Sequence, residues 1–132
     1  MFTRPQVKAD GTVVNCPRGS GLFGMLQPVA LAADSNQTLT VAQMAGGMIL
    51  RSGQTAGRTD TTPTAELILA ANPGMDIGDS FLLVVSNVAA QTLTLAGGTD
   101  VTLGTKTTIA ASSVGFVLFT KTGAATMSAT IL

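Results

Sequence analysis

Asp76 and Asp79 stand three residues apart in the stretch MDIGDSF, a spacing at which two carboxylates could share a proton-transfer role or a cation. Neither has a His, a Glu or a further acid cluster nearby, and the aromatic complement is five Phe with no Trp or Tyr. A sugar-cleaving cleft is therefore not expected. The pattern predicts a turn instead, with Gly78 in a special backbone conformation and Asp79 accepting local N–H groups. Gly19 to Gly24, in the order GSGLFG, matches the dinucleotide-binding spacing. That motif works only between a strand and a helix, with an acid about 20 residues on. Pro17 and Pro28 flank it and no such acid follows, so the glycines are expected to permit a bend. The chain has no His, which removes every Ser–His or Cys–His nucleophile, Cys16 included. Six Met, among them Met25, Met44 and Met48, suit adaptable packing rather than ligation. No catalytic residue, cofactor or metal is expected.

Arg51, Arg58 and Asp60 share the polar stretch RSGQTAGRTD. Arginine forms planar, paired hydrogen bonds with carboxylates, so these three are assigned to contacts between subunits. The composition points the same way. Of 132 residues, 45% are hydrophobic and 11% charged, less than half the usual charged share of about 25%, and the mean hydropathy is +0.44. No apolar run approaches the roughly 18 residues that cross a bilayer, so neither a membrane nor lipid is expected to cover that surplus. A second copy of the chain, or a partner protein, is.

Seven basic and seven acidic residues balance, which leaves no basic footprint for nucleic acid. Their placement is uneven. Arg4, Lys8, Arg18, Arg51 and Arg58 face only Asp10 and Asp34 up to residue 58. From Thr59 on, Lys106 and Lys121 face Asp60, Glu66, Asp76, Asp79 and Asp100. Such asymmetry suits docking between copies or onto an acidic neighbour. The lone Cys16 forms no internal disulfide, and the start MFTRPQVKAD lacks the apolar stretch of a secretory signal.

The elements fall in two parts. Residues 1–37 carry Pro5, Pro17 and Pro28 and the cluster Gly19, Gly21 and Gly24, which oppose regular helix. Val13, Val14, Leu22, Phe23, Met25 and Leu26 punctuate this stretch, so it reads as an extended arm whose apolar side chains insert into a surface. Residues 38–132 read as one β-rich domain. A short helical turn capped by Thr40 ends at Gly46-Gly47, Met48 to Arg51 is a strand, and Ser52 to Thr62 is an exposed loop. TTPTAELILAANPG is the clearest helix, about 63–72, with Thr62 as N-cap, Pro63 at the first helical position and Leu67, Ala70 and Ala71 on one face. The uninterrupted run DSFLLVVSNV implies a strand buried on both faces, which adds Phe81 and Leu83 to the subunit-contact assignment. Short strands separated by Gly and Ser turns follow, ending in a hairpin near Gly123. This pattern predicts a mainly β, antiparallel sandwich or barrel.

One ordered series of motifs carries a resemblance. It runs through Gly46 to Arg51, Arg58 to Asp60, Pro63 to Ala65, Pro73-Gly74, Gly78 to Phe81, Thr92-Leu93, Ala96 to Thr99 and Thr108 to Ala110. Together these resemble a β-rich domain of tailed-bacteriophage structural proteins, including capsid cement (decoration) proteins of cyanophages, over roughly residues 40–120. The resemblance implies a trimerising β-barrel or jelly-roll-like domain on the outer surface of a virion, made in the host cytoplasm. It would bind the major capsid protein and stabilise contacts between its subunits. The arm lies outside the resemblance, and Arg4, Lys8, Val13, Val14, Arg18, Leu22 and Phe23 are the residues expected to engage the capsid. The alternative within the same class of virion proteins is a tail-fibre or spike domain that recognises a host glycan. Such domains usually offer exposed aromatics for sugar stacking, and this chain has no Trp or Tyr.

Overall fold

A computed structural model describes residues 25–132 in full and, before them, the backbone of two strands, β1 (Gln6–Val7) and β2 (Val13–Val14), which pair antiparallel. The elements that follow are β3 (Val29–Leu31), β4 (Gln37–Thr38), α1 (Val41–Ala45), β5 (Met48–Arg51), β6 (Arg58–Thr61), α2 (Ala65–Ala71), β7 (Ser80–Asn87), β8 (Leu93–Ala96), β9 (Val101–Leu103), β10 (Thr108–Ile109), β11 (Ser113–Lys121) and β12 (Met127–Ile131).

Ten of these strands form two sheets, ordered β3-β5-β7-β11-β12-β9 and β10-β8-β6-β4. From β3 to β11 each strand belongs to the opposite sheet from the one before it. Strands adjacent in a sheet are therefore reached by way of the other sheet, and a chain that crosses over and back runs in the same direction each time. That accounts for the parallel pairs β3–β5, β5–β7, β4–β6 and β6–β8; β12–β9 is parallel as well, whereas β8–β10, although reached across β9, is antiparallel, as are β7–β11 and β11–β12. The chain is mainly β as expected, but the expected antiparallel pattern is corrected to two mixed sheets. Short Gly-rich turns read as hairpins; most of them instead carry the chain between sheets. The final hairpin is the exception. There β11 returns directly as β12, and the amides of Thr122 and Gly123 both donate to Thr126 O.

The inner faces of both sheets share one core. Ile49, Leu83, Val85, Val117, Phe119, Met127, Ala129 and Ile131 come from the six-stranded sheet, and Leu93, Leu95 and Ile109 from the four-stranded one. Phe81 and Phe119 stack with ring centroids 5.1 Å apart and planes 8° from parallel. The short helical turn expected after Thr40 forms as α1, with Thr40 as its N-cap and Gly46 as its C-cap. Its N-terminus is closed by a reciprocal cap: Gln43 N–H donates to Thr40 Oγ1 at 3.2 Å and Thr40 N–H to Gln43 Oε1 at 2.9 Å.

Helix α2 is capped by Thr64, whose hydroxyl accepts from Leu67 N–H at 3.2 Å. Thr62, expected as the cap, is buried, and its hydroxyl accepts from Gly98 N–H at 2.9 Å. The helix also presents a different face from the one expected. Ala65 and Ile68 are buried, whereas Leu67, Ala70 and Ala71 are exposed. In AELILAA nearly every position is apolar, so spacing alone fits several faces. The bond from Ala65 N–H to Thr99 O at 3.0 Å ties the first turn against the sheet.

Two boundaries also differ. Residues 25–37, assigned to the arm, supply the edge strand β3 and begin β4. Ser52 to Thr62, read as an exposed loop, contains strand β6 and the buried Gln54, Asp60 and Thr62.

Candidate interaction surface

Arg51, Arg58, Asp60 and Asp79 each have a structural partner within the chain. Arg51 on β5 and Asp60 on β6 are 0% and 1% exposed. The Arg51 Nε and Nη2 donate to the two Asp60 carboxylate oxygens at 2.8 and 3.3 Å. Nη1 donates to Ala33 O and Nη2 to Ser35 O, each at 2.6 Å. This pair joins the two sheets within one protomer. Its assignment to a subunit boundary is corrected: both groups are enclosed by the chain's own backbone. Arg58 reaches a different acid, donating from Nη2 to Asp34 Oδ1 at 2.8 Å on the surface. The Asp34 carboxylate also accepts from the hydroxyl and the amide of Thr55. Those two Thr55 bonds, then the Arg58 guanidinium, lower its pKa to about 2.

Asp76 and Asp79 form the expected turn. Asp76 N–H donates to Asp79 Oδ2 at 2.9 Å, and Gly78 has φ +95°, a conformation open to glycine at no steric cost. An open hollow of about 410 Å³ lies beside this turn, lined by Asn72, Gly74, Met75, Asp79, Ser80 and Phe81. Asp79 has no acidic, basic or His partner there, so the hollow holds no acid–base pair. Among the described residues no group of three or more His, Cys, Asp or Glu could hold a metal ion, and no helix is long and apolar enough to cross a membrane.

The outer faces of the two sheets differ in chemistry. Strand alternation gives the four-stranded sheet an outer row of Thr38, Thr59, Thr61, Thr94, Ala96 and Thr108. Threonine packs on a pleated surface and still offers water a hydroxyl. The six-stranded sheet presents Met48 and Leu50 on β5, Leu82 and Val84 on β7, and Val114, Phe116 and Leu118 on β11. The register places Phe116 opposite Val84 and Leu118 opposite Leu82. Leu82 is 40% exposed, Phe116 45% and Val114 50%. Ala30, Ser80, Ser86, Thr102, Thr120, Ser128 and Thr130 complete this face, on which none of the described residues is charged. Val88 and Leu132 extend it at 58% and 63% exposure.

The run DSFLLVVSNV is thus buried on one face only within the protomer: Leu83, Val85 and Asn87 are buried, and Leu82 and Val84 point outward. Of the residues expected at subunit contacts, Leu83 is in the core and Phe81 is half-buried against Phe119. The residues that do lie on an open apolar face, Val114 and Phe116 above all, escaped assignment. Their signal was the alternation in SVGFVLFTK, where every second residue on the outward side is apolar. Of the residues expected to engage a capsid, Val13 and Val14 form β2; Arg4, Lys8, Arg18, Leu22 and Phe23 lie outside the described residues.

Comparison with protein-family models, with characterised proteins and with solved structures finds no match in any of the three.

Proposed function

We propose that this chain is a non-catalytic virion protein: a capsid cement (decoration) protein that sits on the outer capsid surface as a homotrimer. In this reading it binds the major capsid protein and stabilises contacts between neighbouring capsid subunits. The observation that carries the reading is the charge-free outer face of the six-stranded sheet in a chain with 11% charged residues. Contiguous apolar surface of this kind, rimmed by polar residues, marks a site of protein association. Two facing sheets around one core also suit the jelly-roll-like sandwich that the resemblance implies, though their strand directions are mixed.

The functional assignment has two parts, a face for assembly and an arm for attachment. Arg4, Lys8 and Arg18, with Val13, Val14, Leu22 and Phe23 between and after them, supply the mixture of basic and apolar anchors that would dock on acidic, grooved capsid surface. Exposed charges of this kind weaken with salt, because the Debye length falls from about 10 Å at 0.1 M to about 3 Å at 1 M.

The test is rebinding to capsids stripped of surface proteins. The protein should bind to saturation and raise the temperature at which the particles release their contents. Replacing Arg4, Lys8 and Arg18 with Ser should lower occupancy and flatten its salt dependence. Absence of saturable binding by the parent protein overturns the assignment.

A further inference from the structure

We infer that the outer face of the six-stranded sheet is where copies of this chain meet, through Leu82, Val84, Val114, Phe116 and Leu118. The inference rests on the assembly reading above and names the surface that performs it.

Three observations select another copy as the occupant. First, the chain shows what a hydrated sheet face looks like in this molecule: the four-stranded sheet exposes threonines, while the six-stranded sheet exposes Leu, Val and Phe in register across β7 and β11. Second, the face carries no charge, so a copy turned toward it meets neither like-charge repulsion nor an unpaired buried ion, both of which are costly in a contact. Among the described residues the charged side chains lie off this face. Lys106 marks the rim, where its Nζ donates to Leu132 O at 3.3 Å. An apolar centre within a polar rim is the usual anatomy of an interface.

Third, the dimensions suffice. Six strands spaced ~4.8 Å apart, the longest of eight and nine residues, give a face on the order of 500–600 Å² before side-chain relief. Two such faces together bury about 1,000–1,200 Å², which clears the ~1,000 Å² a specific interface needs. A second copy meets this face with the same apolar side chains, Phe116 and Val114 among them.

The experiment is sedimentation of the full chain at micromolar concentration, with Phe116→Asp and Val114→Lys as separate variants and Leu67→Asp as control. Leu67 is 56% exposed and belongs to α2, not to a strand of the sheet. Thermal melts establish that each variant is folded, and a milder Phe116→Ser replaces either substitution that fails to fold. The parent should sediment at a multiple of 13.3 kDa. Each face variant should weaken association at least ~100-fold, and the control should match the parent.

A parent present only at 13.3 kDa overturns the inference, as does an assembly that folded face variants leave intact. Capsid rebinding separates these failures from failure of the functional reading. A monomer that binds capsids through a Phe116-sensitive contact gives the face to the capsid and leaves decoration standing. Protein that assembles through Phe116 but never binds capsids keeps the interface and removes decoration.

Discussion

Arg51 Nε and Asp60 Oδ2 lie 2.8 Å apart across the space between the two sheets, so a strand of each sheet is held to the other by a buried, two-point ion pair. The same guanidinium binds the carbonyls of Ala33 and Ser35, and Asp60 Oδ1 accepts from Gln37 N–H at 3.2 Å. One side-chain pair thereby fixes the connection from β3 to β4 as well as the sheet spacing. Removing one member of such a pair leaves an uncompensated buried charge. Asp60→Ala should therefore cost about 3–5 kcal/mol. Arg51→Met should cost at least as much, because it also leaves two backbone carbonyls without donors. Denaturant unfolding measures both, and a loss below about 1 kcal/mol in either contradicts the role given to the pair.

Asp34 makes the acid side of stability partly separable. Its folded pKa, about 2, lies below the ordinary 3.8, so its contribution is fully present above 3.8 and is lost as pH falls toward about 2. The parent should lose stability relative to Asp34→Asn across that window, with the two converging at its lower end. The effect is small and salt-sensitive because the pair with Arg58 is on the surface. Thermal melts of both proteins between pH 5 and pH 2 measure it; a gap that widens on acidification contradicts the sign.

Asn87 closes the inner side of β7 and is fully buried. Its Nδ2 donates to Gln91 O at 2.7 Å and to Ala110 O at 3.1 Å, and its Oδ1 accepts from Gln54 Nε2 at 3.3 Å. Asn87→Leu fills similar volume but leaves these groups unsatisfied, at about 1–3 kcal/mol. Chemical denaturation should show that loss with little change in the secondary-structure spectrum. An unaltered midpoint would mean that water replaces the amide without cost.

The carboxylates Asp76 and Asp79 are expected to serve the turn alone. Asp76→Asn with Asp79→Asn should lower the melting temperature slightly, through loss of the charge-assisted bond at Asp76 N–H, and leave capsid binding unchanged. A hydrolytic activity present in the parent and absent in this double variant would contradict the non-catalytic reading.

The local signals in the sequence were the legible ones. The Thr40 cap, Gly78 with Asp79, and the Gly123 turn each depend on bonds within a few residues, and each forms as the residue types indicate. Strand positions such as Met48–Arg51 were legible for the same reason. Strand direction was not, because a turn of given length and composition can close a hairpin or cross to a facing sheet, and only long-range pairing decides. Asp60 and Thr62 looked like loop residues because polarity usually means exposure; their partners, Arg51 and Gly98, come from distant strands. The open apolar face was half legible. Low charge indicated a covered surface, but placing it on Phe116 and Val114 rather than Phe81 and Leu83 required the register between β7 and β11.

Image reconstruction of capsids saturated with the full-length protein would show decoration and assembly together. Clustered density is expected on the outer capsid surface at symmetry axes, each cluster three chains with the six-stranded sheets turned toward one another and the amino-terminal arms running to the capsid. A bare outer surface after incubation, with the protein left in solution or bound only to tail structures, would contradict the proposed function.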